Sequence, residues 1–332
     1  MAIKIIGMKT IITTKYGSPQ VLKIMEKEKP IPKANEILIK IVASSVTAAD
    51  SMMRKGKPYY GRLFIGLTKP KNAVPGTGFA GIIEGTGEAV YKFRVGEEVF
   101  GEIVLGPGTN CEYVCVPEDG VVLHKPANLS FEEAAPVCDG ALTSMSFLKD
   151  IANIKQGQKI LINGASGSLG SAAVQLAKAF GAEVTGVCST SNIDLVKGFG
   201  ADHVVDYTKT DFTKGSNLYD IIYDTVGTLS FSGSKKALTS KGTFMSPVLG
   251  MPLLFQMIKT GIHGSKKAQF SATGLRPVAE LHILFEELND LLIKGALKTW
   301  IDKSYPLEDV VKAHEYVDSG RKKGNVVLVN SL

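Results

Sequence analysis

Alternation of apolar and polar positions dominates the first third of the chain. Residues 11–14, 21–26, 36–42, 81–88, 98–100 and 112–116 alternate with period two, separated by glycine and proline. Short strands at this spacing predict a small barrel or sandwich. From about Ser130 the period changes, and Ser130-Phe131-Glu132-Glu133 has the spacing of a capping box that opens a helix. Strand and helix patterns then alternate, with strands at 159–163, 183–188, 203–206, 219–225 and 242–247 and helices at 168–180, 193–199 and 232–238. That order predicts a doubly wound parallel sheet. A helix at 278–294, another at 307–318 and a terminal strand at 325–330 follow, and they are expected to add to the first domain.

The most informative stretch is 159–178. An apolar strand runs into Gly164, Gly167 and Gly170, and a small-residue helix follows at once. In a dinucleotide-binding turn the first glycine takes a backbone angle other residues avoid. The second lets a pyrophosphate approach the main chain, and the third lets the helix pack against the strand. The N–H groups at the helix start then face phosphate. A tight turn between a core strand and a core helix would need the same glycines, so the pattern alone leaves both readings open.

The strand after this turn ends Val187-Cys188-Ser189-Thr190-Ser191-Asn192, with no carboxylate before Asp194. An acidic residue there would bind a ribose diol and repel a 2′-phosphate, whereas hydroxyls and an amide can donate to a phosphate. The segment therefore points to NADPH rather than NADH. The same residues also suit the cap of the next helix.

Bulk properties narrow the setting. The 332 residues suffice for two cores, and 44% hydrophobic with 21% charged residues describes a globular chain. The net charge of +6 is spread over short clusters that read as solvated surface. Aromatic–basic interleaving is absent, which argues against a nucleic-acid partner. No apolar run reaches spanning length, so no membrane partner is expected. Cys111, Cys115, Cys138 and Cys188 have no metal or disulfide spacing, which suits reduced thiols and a cytoplasmic location. Met8-Lys9-Thr10 reads as a second start, making the first seven residues a leader.

Several motifs in order carry a resemblance. They are Tyr16-Gly17-Ser18-Pro19-Gln20-Val21-Leu22, Val74-Pro75-Gly76-Thr77-Gly78-Phe79-Ala80-Gly81, Gly96-Glu97-Glu98-Val99-Phe100-Gly101, the glycine turn, Gly200-Ala201-Asp202-His203-Val204-Val205-Asp206-Tyr207, Tyr223-Asp224-Thr225-Val226-Gly227 and Gly324-Asn325-Val326-Val327-Leu328. Together they resemble the zinc-independent quinone oxidoreductase (zeta-crystallin-like) branch of the medium-chain dehydrogenase/reductase superfamily. The resemblance implies an α/β protein: a GroES-like β-rich catalytic domain at 1–130, a Rossmann NADP-binding domain at 131–270, and a return to the catalytic domain at 271–332. It also implies a cleft holding NADPH and substrate, and a homodimer formed through the edge of the Rossmann sheet.

Site residues follow from the same resemblance. Ser166, Gly167, Ser168 and Leu169 would line the pyrophosphate, and Ser189, Thr190, Asn192 and Tyr207 would surround the 2′-phosphate. Thr143 and Thr47 would lie near the nicotinamide, Val226 and Val248 would flank the ribose or ring, and Asn325 would close the pocket. Zinc-dependent relatives carry their metal ligands where this chain has Thr47, Thr77 with Gly78, and Asp139, so no metal is expected. Asn192 stands where many relatives have lysine. Thr47 and Met52 replace a polar asparagine–tyrosine pair, and Tyr59 or Tyr60 could supply a hydroxyl from the same loop.

Loss of the metal changes the chemistry expected. Hydride addition to a simple ketone builds charge on an alkoxide, which needs a Lewis acid or a proton relay. Addition to a quinone or conjugated enone leaves a delocalised, weakly basic oxygen. The expected function is NADPH-dependent, metal-free reduction of quinones or α,β-unsaturated carbonyls, with Thr47 and Tyr60 as catalytic candidates. A metal-free alcohol or carbonyl dehydrogenase, or a nucleotide-binding protein with little activity, are the alternatives. Two segments, 57–71 and 250–264, read as glycine- and lysine-punctuated loops whose apolar residues either cover a bulky substrate or pack on protein.

Overall fold

The computed structural model describes residues 7–103, 106–213 and 215–331, and the expected leader lies almost wholly outside them. The chain divides into two compact units. One comprises Met1–Asp139, Pro277–Asn289 and Thr299–Leu332; the other comprises Gly140–Arg276 and Asp290–Lys298.

The first unit is β-rich. Strands Gly7–Thr13 and Leu22–Glu28 form an antiparallel hairpin. A seven-stranded sheet runs in the order Ile301–Pro306, Asn325–Val329, Glu36–Ser45, Gly78–Thr86, Glu98–Glu102 and Val121–His124, with Tyr113–Pro117 also paired to Glu36–Ser45. Glu36–Ser45 is buried over most of its length, as a strand with three partners must be. Its pairing with Gly78–Thr86 shifts register between Leu38 and Ile39 and again between Ile41 and Ala43, the irregularity that bends a sheet towards closure. Ile37, Ile39 and Ile41 join Phe79, Val99 and Val114 in one core. A second core unites Ile11 and Leu22 with Leu307, Val310, Val326 and Leu328, so the early and late parts of the chain share one apolar cluster. The sequence pattern missed Val121–His124 and Ile301–Pro306. The latter is half polar and exposed, and its parallel partner Asn325–Val329 makes it a strand.

The second unit is a six-stranded, wholly parallel sheet in the order His203–Asp206, Glu183–Cys188, Lys159–Asn163, Tyr219–Asp224, Leu238–Met245 and Lys267–Gln269. Strand order reverses beside Lys159–Asn163, the switch point at which open α/β sheets bind ligands beyond their carboxyl ends. The glycine turn and helix Ser168–Ala179 start there.

Three local readings change. Segment 250–264 is a helix, Met251–His263, because Pro252 falls in the first turn, where proline is tolerated. Segment 57–71 contains the short helical turns Tyr59–Gly61 and Arg62–Ile65. The helix expected at 232–238 stops early, as Phe231–Ser234, because Leu238 is buried in the sheet core as the first residue of the next strand.

Candidate active site

Each glycine of the turn has a distinct constraint. Gly164 has φ +78°, and a Cβ there would stand 2.4 Å from Val226 Cγ2. At Gly170 a Cβ would lie 2.1 Å from the Gly164 carbonyl oxygen. Gly167 differs: its φ is −83°, and a Cβ would meet nothing closer than 3.4 Å. Neither backbone nor packing requires glycine at 167. The missing side chain leaves open space at the start of helix Ser168–Ala179, where no side chain caps the N-terminus, and an anion can approach there. Ser144 Oγ donates to the Leu169 carbonyl at 2.9 Å, which ties the segment carrying the half-buried Thr143 to the turn.

In the turn after strand Glu183–Cys188, Asn192 Nδ2 donates to Ser166 Oγ at 3.0 Å. The structure thus joins a residue expected at the 2′-phosphate to one expected at the pyrophosphate. Thr190 Oγ1 donates to Asp206 Oδ2 at 2.5 Å, and the Thr208 hydroxyl and amide donate to Asp206 Oδ1 at 2.7 and 3.0 Å. These hydroxyl bonds pull the Asp206 carboxyl down to about 2. Lys209 Nζ stands 3.6 Å from the same carboxylate. Ser189 and Ser191 hydroxyls pair at 3.4 Å, and Tyr207 is exposed next to Asp206 in the chain. Asp206 and Lys209 were missed by reading along one strand. Parallel register sets Asp206 opposite Cys188 and so brings a carboxylate from the next strand to the Ser189 turn.

Val226 and Val248 stand close to the switch-point loops. Val226 covers Gly164, and Val248 covers Gly227, where a Cβ would come within 2.7 Å of it. Buried Asp224 organises this loop: Oδ1 accepts from Asn163 Nδ2 and the amides of Val226 and Gly227, and Oδ2 accepts from the Leu229 amide. Its role was also unread, since an aspartate ending a strand looks like an ordinary turn residue.

The remaining candidates belong to the first unit. Thr47 is the N-cap of helix Ala48–Lys55: its hydroxyl accepts from the Asp50 amide at 3.1 Å and donates to Asp50 Oδ2 at 2.7 Å. Thr47 therefore has its own proton committed. Tyr60 is half-exposed, and neighbouring Tyr59 lies under Arg62 and Lys57. Asn325 is buried, with Nδ2 donating to the Trp300 carbonyl at 3.1 Å.

A buried acidic cluster lies in the same unit. Asp139 Oδ1 accepts from the Thr77 hydroxyl, and Oδ2 accepts from Ser45. Burial, with Asp50 nearby, pushes Asp139 up to about 6. Glu102 rises further, to about 8, through burial and the proximity of Asp139. Burial lowers Lys322 to about 8 against the pull of Asp302 and Asp139. Burial also raises all four thiols, Cys111 to about 12 and Cys115 and Cys188 to about 11, so none supplies a ready thiolate.

The alcohol dehydrogenase GroES-like domain pattern matches residues 33–127, and the zinc-binding dehydrogenase pattern matches 199–328. Over 97% of its length the chain is 34% identical to a 2-methylene-furan-3-one reductase of Solanum lycopersicum, covering 79% of that protein. The chain belongs to the quinone oxidoreductase branch of the medium-chain dehydrogenase/reductase superfamily. It is an NAD(P)H-dependent oxidoreductase. Its fold matches the quinone oxidoreductase of Coxiella burnetii with a TM-score of 0.82 at 27% identity, over 98% of this chain and 99% of the other. A mycobacterial protein solved with NADPH matches with a TM-score of 0.82 at 25% identity, over 97% and 99%.

The zinc named in one of these patterns meets a poor donor set here. Thr47 is engaged with Asp50, and Thr77 donates to Asp139. At Gly78, where relatives place a glutamate, a Cβ would stand 2.4 Å from the Ala135 carbonyl oxygen and 2.6 Å from Asp139 Oδ2. Among the described residues no group of three or more His, Cys, Asp or Glu could hold a metal ion. The residues present do not fit a catalytic zinc.

Proposed function

We propose that this oxidoreductase reduces quinones or α,β-unsaturated carbonyls with NADPH, without a metal. The observation that carries the reading is the hydrogen-bonded set Ser45–Asp139–Thr77: Thr77 and Asp139, aligned by the resemblance with metal ligands of zinc-dependent relatives, bond to each other, and Asp139 also accepts from Ser45. A site without a Lewis acid suits acceptors whose reduced oxygen is delocalised, because modest hydroxyl donors suffice for that charge. Bound NADPH would supply the hydride. Gly167, Ser166, Ser168 and Leu169 would hold its pyrophosphate, with Val226, Val248 and Thr143 about the ribose and ring; Asn325 is kept as a cofactor residue on the resemblance. Ser189, Thr190, Asn192, Tyr207 and Lys209 would receive the 2′-phosphate, with Lys209 supplying the cation missing at Asn192. Tyr60 is the proposed hydroxyl donor to the substrate oxygen. Thr47, its proton held by Asp50, would orient its helix start rather than donate. Four free, largely buried cysteines suit a reducing cytoplasm, and a homodimer is the assembly proposed from the resemblance.

The test is to follow NADPH oxidation with a panel of quinones, enones and simple ketones, with and without chelator. Turnover of quinones or enones that is indifferent to chelator is expected. Turnover confined to simple ketones and abolished by chelator would overturn the reading.

A further inference from the structure

Strand Glu98–Glu102 ends in an acidic side chain that the proposed reaction leaves unused. Glu102 pairs with Gly78 across the antiparallel ladder, so the two residues face the same side of the sheet. Gly78 has no side chain to fill that side. On its other flank, Ser45 Oγ accepts from the Gly78 amide at 3.2 Å. Asp139 sits over the gap: a Cβ at residue 78 would stand 2.6 Å from Asp139 Oδ2 and 2.9 Å from Ser45 Oγ. Ser45, the bare Gly78 and Glu102 thus form a row across three neighbouring strands, with the Asp139 carboxylate above its centre.

Glu102 is only 9% exposed, and no hydrogen bond to a described residue holds its carboxyl. Burial and the Asp139 charge raise it to about 8, whereas Asp139 rises only to about 6. At neutral pH the pair therefore shares one proton, and it rests on Glu102. Among the groups around the pair, Cys138 stands beside both acids. Asp50 adds to the burial that raises Asp139, and Lys322 draws it down. Thr77 connects the pair to open space. Its hydroxyl donates to Asp139 Oδ1, and its half-buried side chain lines a cavity of about 80 Å³ with Asp50, Met53, Val74 and Ile103.

We propose that Glu102 is the proton store of the reaction, passing its proton through Asp139 and Thr77 to the anion that hydride transfer leaves. This rests on the reaction proposed above. Hydride adds to the enone or quinone and leaves an enolate or a hydroquinone anion. Thr77 gives that anion its hydroxyl proton and takes one from Asp139, which takes one from Glu102. Glu102 then recovers a proton from solvent, so each turnover consumes one hydride and one proton. Tyr60 holds the substrate oxygen by a hydrogen bond and keeps its own proton.

The whole chain and its Glu102→Gln variant test this. In the parent, kcat should stay level to about pH 8 and then fall about tenfold per pH unit. Glu102→Gln should lower kcat about a hundredfold, leave KM for NADPH nearly unchanged and lose the fall near pH 8. Glu102→Asp should restore part of the rate together with the fall. Infrared difference spectra without coenzyme should show, in the parent, a protonated-carboxyl band that titrates near pH 8. That band should be missing in Glu102→Gln, and in the parent it serves if the variant does not fold. An unchanged kcat and pH profile in Glu102→Gln overturns the proposal, as does a parent without the band. A wrong acceptor class is a separate failure. Turnover confined to simple ketones would leave the band and the fall in place, whereas a wrong relay removes them while quinones or enones still turn over.

Discussion

The hydroxyl of Thr190 donates to the carboxylate of Asp206 at 2.5 Å, joining the ends of two neighbouring parallel strands. A fixed negative charge thus stands beside the residues proposed for the 2′-phosphate, with Lys209 as its counter-charge. Asp206→Asn should lower KM for NADPH about fivefold and leave that for NADH nearly unchanged. Lys209→Ala should do the reverse. Because hydroxyl bonds hold Asp206 down at about 2, it is ionised from pH 5 upward. Steady-state kinetics with both coenzymes should therefore give a preference that does not drift between pH 5 and 9 on its account.

Two glycines of the same turn should respond oppositely to alanine. Gly170→Ala would set a Cβ 2.1 Å from the Gly164 carbonyl oxygen and should cost about 1–3 kcal/mol of stability. Gly167→Ala meets no such obstacle. It should melt like the parent protein yet bind the dinucleotide about tenfold more weakly. Thermal melts and fluorescence titration separate the two effects.

The buried acids predict an unusual pH profile of stability. Folded Glu102 holds its proton up to about pH 8, and folded Asp139 to about 6, both above their ordinary values. Between roughly pH 4 and 8 the two acids hold protons that the unfolded chain has lost. Buried His314, lowered to about 3, offsets one of them below pH 6.5, so stability falls as pH rises by about 1 kcal/mol per pH unit. Above pH 8 Lys322, lowered to about 8, works the other way, but the four raised thiols then keep protons that the unfolded chain loses, so no rise follows. Denaturant titrations should find stability falling from pH 5 to 8, and Glu102→Gln should flatten that fall. A parent curve rising between pH 5 and 8 would contradict this account.

Removing the Asp139 carboxylate should strand one buried and one half-buried hydroxyl. Asp139→Ala leaves Ser45 and Thr77 without their acceptor, at a cost of about 1–3 kcal/mol. Restoring the histidine–glutamate pair by Thr77→His with Gly78→Glu should not create a zinc site, because backbone at Ala135 occupies the space. Metal analysis of the purified variant checks this.

The strand–glycine–helix unit was legible because local geometry dictates it: an apolar strand, glycine angles and a small-residue helix are encoded in twenty consecutive residues. Asp206 was not legible in the same way. Its place beside Thr190 depends on the pairing of two strands, which no local pattern states. Helix Met251–His263 was hidden by Gly250, Pro252, Gly261 and Gly264, which punctuate it like a loop. Pro252 sits in the first turn, where its missing N–H costs nothing. The hydroxyl network about Asp139 was half visible. The lost ligand types could be read from the sequence, but the way Ser45 and Thr77 close around the carboxylate could not.

Strand Asn325–Val329 pairs antiparallel with Glu36–Ser45, setting Val327 opposite Ser45. On a ribosome, the central strand of the first unit would wait for nearly three hundred further residues before this neighbour emerged. Most of the second unit, contiguous from Gly140 to Arg276, would have left the tunnel by then and be free to fold. The dinucleotide platform would thus mature first. A chain cut short before Asn325 would carry a finished nucleotide fold beside an unpaired, aggregation-prone sheet edge.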